Sequence, residues 1–327
     1  MTKLVYFDLE GPLSPQDNAY EVMASIERGK EMFEVISRYD DLLALEGREN
    51  YEAGDTLSLI APFLVSHNVN EDDISRVSSR AMLVPGAKEI VQKLLSQDWL
   101  VYIISTSYEQ HAHRIGSRLG IPVSNIASTK FPLNSYLLEF GEEDVDVIRQ
   151  AERDILDLYP PTNDSAVKSR LDRFFWQELA QRPVGKVINK MSVCGGARKI
   201  DALLEIAERT GADVSESVVV GDSITDMKML QFVRDKGGLA VVFNGNEYAV
   251  PYGSVGLATK DMRNLQLILE KWNEGGKTAV FDAVRAREGA DEDPYYHVLE
   301  DRESYEDFIQ VHMAMRAAIR GQAAKLG

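Results

Sequence analysis

Five short apolar runs, separated by segments with helical patterns, constrain the fold of this chain more than any other feature. The runs span residues 4–7, 100–104, 217–220, 239–243 and, more weakly, 254–258. Short, nearly unbroken runs rich in Val and Ile are typical of strands buried on both faces of a parallel sheet. Because amphipathic helical stripes lie between them, the pattern predicts an α/β protein with a doubly wound parallel sheet.

Two long segments interrupt the alternation of strands and helices. The first, at 15–82, carries apolar helical stripes and predicts a helical insertion after the first strand. The second, at 132–189, predicts further helices that are separated by Pro160-Pro161. A charged stretch at 273–327 predicts a helical tail packed on the core. The remaining residues are assigned to the α/β core, which spans 1–14, 83–131 and 190–272.

The charge balance limits which partners the protein can have. The chain of 327 residues carries a formal net charge of −16. Such a field repels nucleic acid and anionic membranes, so we expect neither as a partner. It also opposes an anionic substrate, so any phosphate site needs a local cation.

Cysteine usage and hydropathy point to a cytoplasmic location. Cys194 is the one cysteine of the chain, so no intramolecular disulfide can form, which fits a reducing compartment. The N-terminus shows no signal-peptide pattern, and no apolar run approaches the roughly 20 residues that a membrane span needs. The sequence leaves open whether the protein forms a homodimer.

Asp8-Leu9-Glu10-Gly11 follows the first apolar run and is the first candidate site. Residues i and i+2 of an extended chain face the same way, so both carboxylates can face one substrate. One of them can attack phosphorus, and the other can protonate the leaving oxygen and then deprotonate water. A pair of acids that caps a following helix is the structural alternative.

Hydroxyl and basic side chains supply candidates for phosphate binding. Ser105 and Thr106 follow the second run, and Ser105 is the better candidate because it comes first. Both could instead be ordinary helix N-caps. Lys199 opens a predicted helix and could neutralise a phosphate and Asp8 together, with Arg198 as its competitor.

The most specific feature is the stretch from Val218 to Asp226, in which an apolar strand ends at Gly221-Asp222 and Asp226 follows four residues later. Mg²⁺ prefers oxygen ligands and usually takes one or two carboxylates besides water and phosphate. Asp222 is therefore predicted as a direct metal ligand, whereas Asp226 binds through water or orients Lys199. Ligand sites of parallel sheets gather at the carboxyl ends of strands, so these motifs should meet in space.

Taken in order, these motifs resemble those of the haloacid dehalogenase superfamily. The resemblance implies a Rossmann-like sheet, Mg²⁺ as cofactor and an aspartyl-phosphate intermediate in the phosphatase members. It makes Asp8 the nucleophile and a metal ligand. It makes Glu10 the general acid and base, which also binds metal through its backbone carbonyl. Ser105 and Lys199 would bind phosphate, and Asp222 and Asp226 would complete the metal site.

Glu10 departs from the commoner phosphatase pattern, which has Asp at this position. Glutamate resembles the enolase-phosphatase and phosphoserine–homoserine phosphotransferase branches, which both transfer phosphoryl groups. A helical insertion after the first motif is similar to the cap of phosphoserine phosphatase. Such caps close over small substrates, so the resemblance favours a small phosphorylated metabolite.

Three functions fit these observations. The first is a Mg²⁺-dependent phosphatase that acts on a small phosphomonoester through Asp8. The second is a phosphotransferase that passes the phosphoryl group to an alcohol, and the third is a non-catalytic binding or regulatory protein. His111 and His113 do not face each other on a helix and are interpreted as part of a solvated face.

Overall fold

Seven strands form one sheet in the computed structural model, which describes residues 3–138, 140–290 and 292–326. The strands are β1 (Leu4–Phe7), β2 (Leu100–Tyr108), β3 (Ile126–Thr129), β4 (Ser217–Gly221), β5 (Leu239–Phe243), β6 (Val255–Ala258) and β7 (Tyr295–Val298). Their spatial order is β3-β2-β1-β4-β5-β6-β7. All neighbouring pairs are parallel except β6 and β7, which are antiparallel. The predicted α/β doubly wound sheet is confirmed.

Helices connect and cover these strands. Those of the first insertion are α1 (Asn18–Met23), α2 (Gly29–Leu45), α3 (Thr56–Ser66) and α4 (Glu71–Ser79). After them come α5 (Ala87–Ser96), α6 (Glu109–Leu119), α7 (Leu133–Leu137), α8 (Glu142–Asp157), α9 (Asp164–Arg173) and α10 (Gly185–Lys190). The last four are α11 (Ala197–Thr210), α12 (Met227–Asp235), α13 (Leu265–Arg285) and α14 (Glu306–Arg320). In the described residues, no helix is long and apolar enough to cross a membrane.

Side chains along the buried strands point alternately to the two faces of the sheet, so the core has two layers. Val5 and Phe7 of β1 pack with residues of α5, α6 and α13 on one face of the sheet. Leu4 and Tyr6 pack with residues of α11 and α12 on the other face. Because successive side chains of a strand point to opposite faces, a strand covered by helices on both sides must be apolar throughout.

The helices of the two insertions share one hydrophobic cluster. Tyr39 of α2 and Phe63 of α3 pack in it with Phe174 and Phe175. These two phenylalanines lie in a π-helical turn, Phe174–Glu178, and are fully buried within the chain. The helices from 18–79 and from 133–190 are therefore described below as the cap.

Strands β3 and β7 were not predicted. β3 has only four residues and lies at one edge, and Ile126 is half-buried, so the apolar signal is weak. β7 contains His297 and pairs with β6 at the other edge. The prediction of a purely helical C-terminal tail was therefore incomplete. β2 also continues beyond Ile104 to Tyr108, with an irregular register that admits the polar residues 105–107.

Candidate active site

Asp8 lies at the carboxyl end of β1, in the centre of the sheet. Its backbone N–H donates to the carbonyl of Val220 in β4 at 2.8 Å, which extends the strand pairing up to the site. The residue is 4% exposed. Because β1 and β4 are parallel neighbours, this pairing places Asp8 beside Gly221-Asp222 at the same edge of the sheet.

Lys199, in the first turn of α11, joins two of the acidic residues. Its Nζ donates to Oδ1 of Asp8 at 2.8 Å and to Oδ1 of Asp226 at 2.7 Å, and its side chain is fully buried. Burial alone would lower the pKa of Lys199, but the carboxylates of Asp226 and Asp8 outweigh it and raise the pKa. Arg198 contacts Asp55 of the cap instead.

Both carboxylate oxygens of Asp226 are engaged by the protein. Oδ1 accepts from Lys199, and Oδ2 accepts from the backbone N–H of Asp222 at 2.9 Å and of Ser223 at 3.2 Å. These bonds tie the turn after β4 to the start of α12. The arrangement suits a residue that orients Lys199 and Asp222 better than one with a free oxygen for a metal.

Asp222 lies between the turn after β1 and the C-terminal helix. Arg316 and Arg320 of α14 donate to its Oδ2, Arg320 from Nη1 at 2.9 Å, whereas its Oδ1 is buried without a partner among the described residues. Burial raises the pKa of Asp222, against the effect of the two arginines. Gly11 makes room for this carboxylate, because a Cβ there would lie 2.2 Å from Oδ2 of Asp222. Gly11 also has a φ of +106°, which disfavours any side chain.

The side chain of Glu10 turns towards the cap. Its Oε1 accepts from the backbone N–H of Asn18 at 2.8 Å, in the first turn of α1. Burial, with a further contribution from Asp17, raises the pKa of Glu10 to about 8. A carboxyl group with this pKa is largely protonated at neutral pH, which is the state that a general acid needs.

His111 lies 3.8 Å from Oε1 of Glu10 through its Nε2. The prediction that it belongs to a solvated helix face was wrong, because His111 is fully buried on α6, which packs against α4 of the cap. Burial lowers the pKa of His111 to about 3, so the ring is neutral and adds no charge beside Glu10. Sequence periodicity alone could not distinguish this face of α6 from an exposed one.

The pKa of Asp8 reflects competing neighbours. Burial raises it to about 7, Asp226 and Asp222 add to the increase, and Lys199 opposes it. A nucleophilic carboxylate must be ionised. The contact with Lys199 therefore favours the reactive form of Asp8.

Of the two hydroxyl candidates, Thr106 and not Ser105 lines the cavity beside Asp8 and Glu10. Ser105 is fully buried and its Oγ accepts from the backbone N–H of Ser107 at 3.1 Å. Thr106 donates from Oγ1 to the carbonyl of Cys194 at 3.1 Å. The order of preference predicted between them is not supported by this arrangement, although both remain candidates for binding phosphate.

The residues fit a divalent cation. Asp8, Asp222 and Asp226 are buried, and one carboxylate oxygen of each lies within 4.8 Å of those of the others. The buried, unpartnered Oδ1 of Asp222 is a free ligand atom in this group. Oxygen donors of this kind are those that Mg²⁺ prefers. The side chain of Glu10 lies outside the carboxylate cluster, so only its backbone carbonyl could contribute.

A cavity of about 50 Å³ adjoins Asp8 and Glu10. Its walls come from the α/β core, from the cap and from the end of the chain, where Arg320 and Leu326 line it. A space of this size holds a few water-sized groups. The C-terminal residues were not predicted at the site, because no motif marks them and Arg320, the first of them, follows Asp222 by 98 positions.

Comparisons with solved structures place this architecture among known folds. The chain matches the gene product AF1437 from Archaeoglobus fulgidus with a TM-score of 0.86 and 28% identity, over 100% of this chain and 99% of that one. A substrate-bound phosphoserine phosphatase complex matches with a TM-score of 0.52 and 16% identity, over 81% of this chain and 97% of that one. A probable phosphoserine phosphatase from Vibrio cholerae matches with a TM-score of 0.51 and 16% identity, over 86% of this chain and 66% of that one. No family model and no curated protein matches the sequence.

The chain shares its α/β fold with solved structures of phosphoserine phosphatases, and the low sequence identity to them shows the fold alone. The fold that the motifs implied is therefore confirmed.

Proposed function

We propose that the protein is a Mg²⁺-dependent phosphatase that hydrolyses a small phosphomonoester through an aspartyl-phosphate on Asp8. The observation that carries this proposal is the buried pair of contacts from Lys199 to Asp8 and Asp226. A fully buried lysine between two acids stabilises an ionised carboxylate at the end of β1. It also presents positive charge where a phosphoryl group would approach that carboxylate.

The proposed first step is attack by a carboxylate oxygen of Asp8 on phosphorus. The bond from phosphorus to the leaving oxygen breaks, and Glu10 gives its proton to that oxygen. Glu10 then removes a proton from water, which attacks phosphorus, and the bond to Asp8 breaks to release inorganic phosphate. The pKa of about 8 for Glu10 supports its role as the acid of the first step.

Asp8, Asp222 and the backbone carbonyl of Glu10 are the proposed ligands of Mg²⁺, with Asp226 in support through its contacts with Lys199 and the Asp222 amide. When bound, Mg²⁺ would neutralise negative charge on the phosphoryl group. The need for such a cation follows from the acidic lining of the cavity, which includes Asp17, Asp40 and Asp41.

The comparisons support phosphoryl chemistry without naming a substrate. Solved structures with the same fold are phosphoserine phosphatases, including one with an analogue of the phospho-aspartyl intermediate. The small cavity supports a small substrate. The same chemistry would allow an alcohol in place of water as the acceptor, and product analysis distinguishes the two.

The test is a Mg²⁺-supported screen of phosphorylated metabolites, with an aryl phosphate as generic substrate. We expect phosphate release that requires Mg²⁺ and is abolished in Asp8→Asn. The matched control is Asp235→Asn, an exposed aspartate at the end of α12, which should retain wild-type turnover. Full activity of Asp8→Asn would contradict the proposal, and transfer to added alcohols without phosphate release would replace hydrolysis by phosphotransfer.

A further inference from the structure

The C-terminal helix brings two arginines to Asp222. Arg316 and Arg320 are four residues apart on α14 and therefore lie on one face of the helix. Arg316 donates to both the backbone carbonyl and Oδ2 of Asp222, and Arg320 donates to Oδ2 from Nη1 at 2.9 Å. One of these two cations would be enough to pair the carboxylate, so the presence of both needs an explanation.

Every guanidinium nitrogen of Arg316 donates to the protein. Besides its bonds to Asp222, Nε donates to the carbonyl of Ala324 at 2.8 Å and Nη2 donates to that of Leu326 at 2.9 Å. It is fully buried and is not part of the cavity lining. Arg316 therefore fixes the C-terminal residues against Asp222 and has no face directed to a substrate.

Arg320 is placed differently. It lines the cavity with Asp8 and Glu10, and its side chain is 5% exposed. Its Nε donates to the carbonyl of Pro15 at 3.3 Å, which fixes the guanidinium at the cavity wall. Within the part of the chain that the structure describes, Nη2 of Arg320 has no acceptor, so hydrogen-bond donors remain for a ligand.

The charges that line the cavity favour an anion-binding role for Arg320. Among the described lining residues, Arg320 is the one cation, facing five acids: Asp8, Glu10, Asp17, Asp40 and Asp41. A phosphoryl dianion that enters such a space needs cations held close to it. The planar guanidinium fork matches the oxygen atoms of a phosphate.

We infer that Arg320 binds the phosphoryl group of the substrate, so that the C-terminal helix supplies a phosphate-binding residue to a site otherwise built from the core and the cap. This role rests on the proposed function of the same site. Arg316 pairs with Asp222 away from the cavity, and Arg320, one turn further along the same helix, lines the cavity together with Asp8.

The experiment measures binding of inorganic phosphate by isothermal titration calorimetry, in the presence of Mg²⁺, to the wild-type protein and to Arg320→Gln and Arg320→Lys. Mg²⁺ binding is measured separately in each protein, and circular dichroism checks the fold. Arg263→Gln is the matched control, because Arg263 is exposed and its ion pair among the described residues is with Asp261 in its own turn. Loss of a charge-assisted hydrogen bond should weaken phosphate binding about 10-fold or more in Arg320→Gln.

We expect Arg320→Lys, which keeps the charge but loses the fork, to bind phosphate with intermediate affinity, while the control binds as the wild type does. If Arg320→Gln does not fold, the same comparison is made with Arg320→Lys alone. Unchanged phosphate affinity in Arg320→Gln would overturn the inference, and tighter Mg²⁺ binding in the same variant would show that Arg320 is only a counter-ion that competes for Asp222. Absence of Mg²⁺-dependent turnover in the wild type would instead contradict the proposed function.

Discussion

Replacing Lys199 with Met removes the one positive charge that pairs Asp8 with Asp226 while keeping a similar side-chain length. Lys199 is fully buried and lies 2.8 and 2.7 Å from the two carboxylates. Removing one partner of a buried ion pair leaves an uncompensated buried charge and costs about 3–5 kcal/mol. We expect Lys199→Met to lower the free energy of unfolding by this amount at pH 8 in metal-free buffer.

The loss should depend on pH with a definite sign. The pKa of Asp8 is already raised to about 7, chiefly by burial, and Lys199 is the neighbour that opposes this increase. Without Lys199 the folded-state pKa rises further above the unfolded value of about 3.9. Between these two pKa values the folded protein binds more protons than the unfolded chain, so lowering the pH stabilises the variant. The difference from wild type should therefore shrink as the pH is lowered towards about 7, the folded-state pKa of Asp8 in the wild type, and change little below it, where both proteins bind this proton.

Urea unfolding at several pH values measures this difference. Lys88→Met is the matched control, because Lys88 is exposed on α5 and does not line the cavity beside Asp8. We expect its unfolding free energy to stay within about 0.5 kcal/mol of wild type at every pH. A Lys199→Met variant as stable as wild type at pH 8, or a loss that does not change with pH, would refute the electrostatic reasoning.

Three further predictions concern catalysis and the metal. Glu10→Gln should lower kcat by about 10²–10⁴-fold in steady-state assays, and an unchanged kcat would exclude Glu10 as the acid and base. Burial raises the pKa of Glu10 to about 8, so this acid loses its proton above about pH 8. Cleavage of an alkyl phosphate should therefore decline as the pH rises above about 8. A pH–rate profile of the wild type without that decline would contradict the assignment of Glu10 as the acid. Gly11→Ala should weaken Mg²⁺ binding at least about 10-fold in calorimetry, because its Cβ would lie 2.2 Å from Oδ2 of Asp222. Gly47→Ala, which also has a positive φ but meets no atom within 4 Å, is the control that should bind Mg²⁺ normally.

The central strands and the residues at their ends could be predicted from sequence because one physical cause produces both signals. A parallel strand covered on two faces must be apolar, and the first polar residue after it lies at the ligand-binding edge. This reasoning identifies Asp8 and Asp222, which the structure places side by side. The motif favoured Lys199 over Arg198 as the phosphate-binding residue. The structure places Lys199 against Asp8, whereas Arg198 contacts Asp55.

The parts that sequence could not predict depend on contacts between distant segments. Edge strands β3 and β7 are short and half-exposed or polar, so periodicity does not reveal them. The preference for Ser105 over Thr106 assumed that β2 ends at Ile104, whereas its irregular continuation to Tyr108 directs Thr106 to the cavity. Arg320 reaches the site through the docking of α14, which leaves no local pattern in the chain.

The most direct test of the account is detection of the phosphorylated aspartate. Protein mixed with a phosphate-labelled aryl substrate and Mg²⁺ is quenched in acid, digested and analysed by mass spectrometry. The account predicts a hydroxylamine-sensitive phosphoryl group on the peptide that contains Asp8, and a larger amount of it in Glu10→Gln, where hydrolysis of the intermediate is slowed. Turnover without any label on Asp8, or a label on another residue, would contradict it.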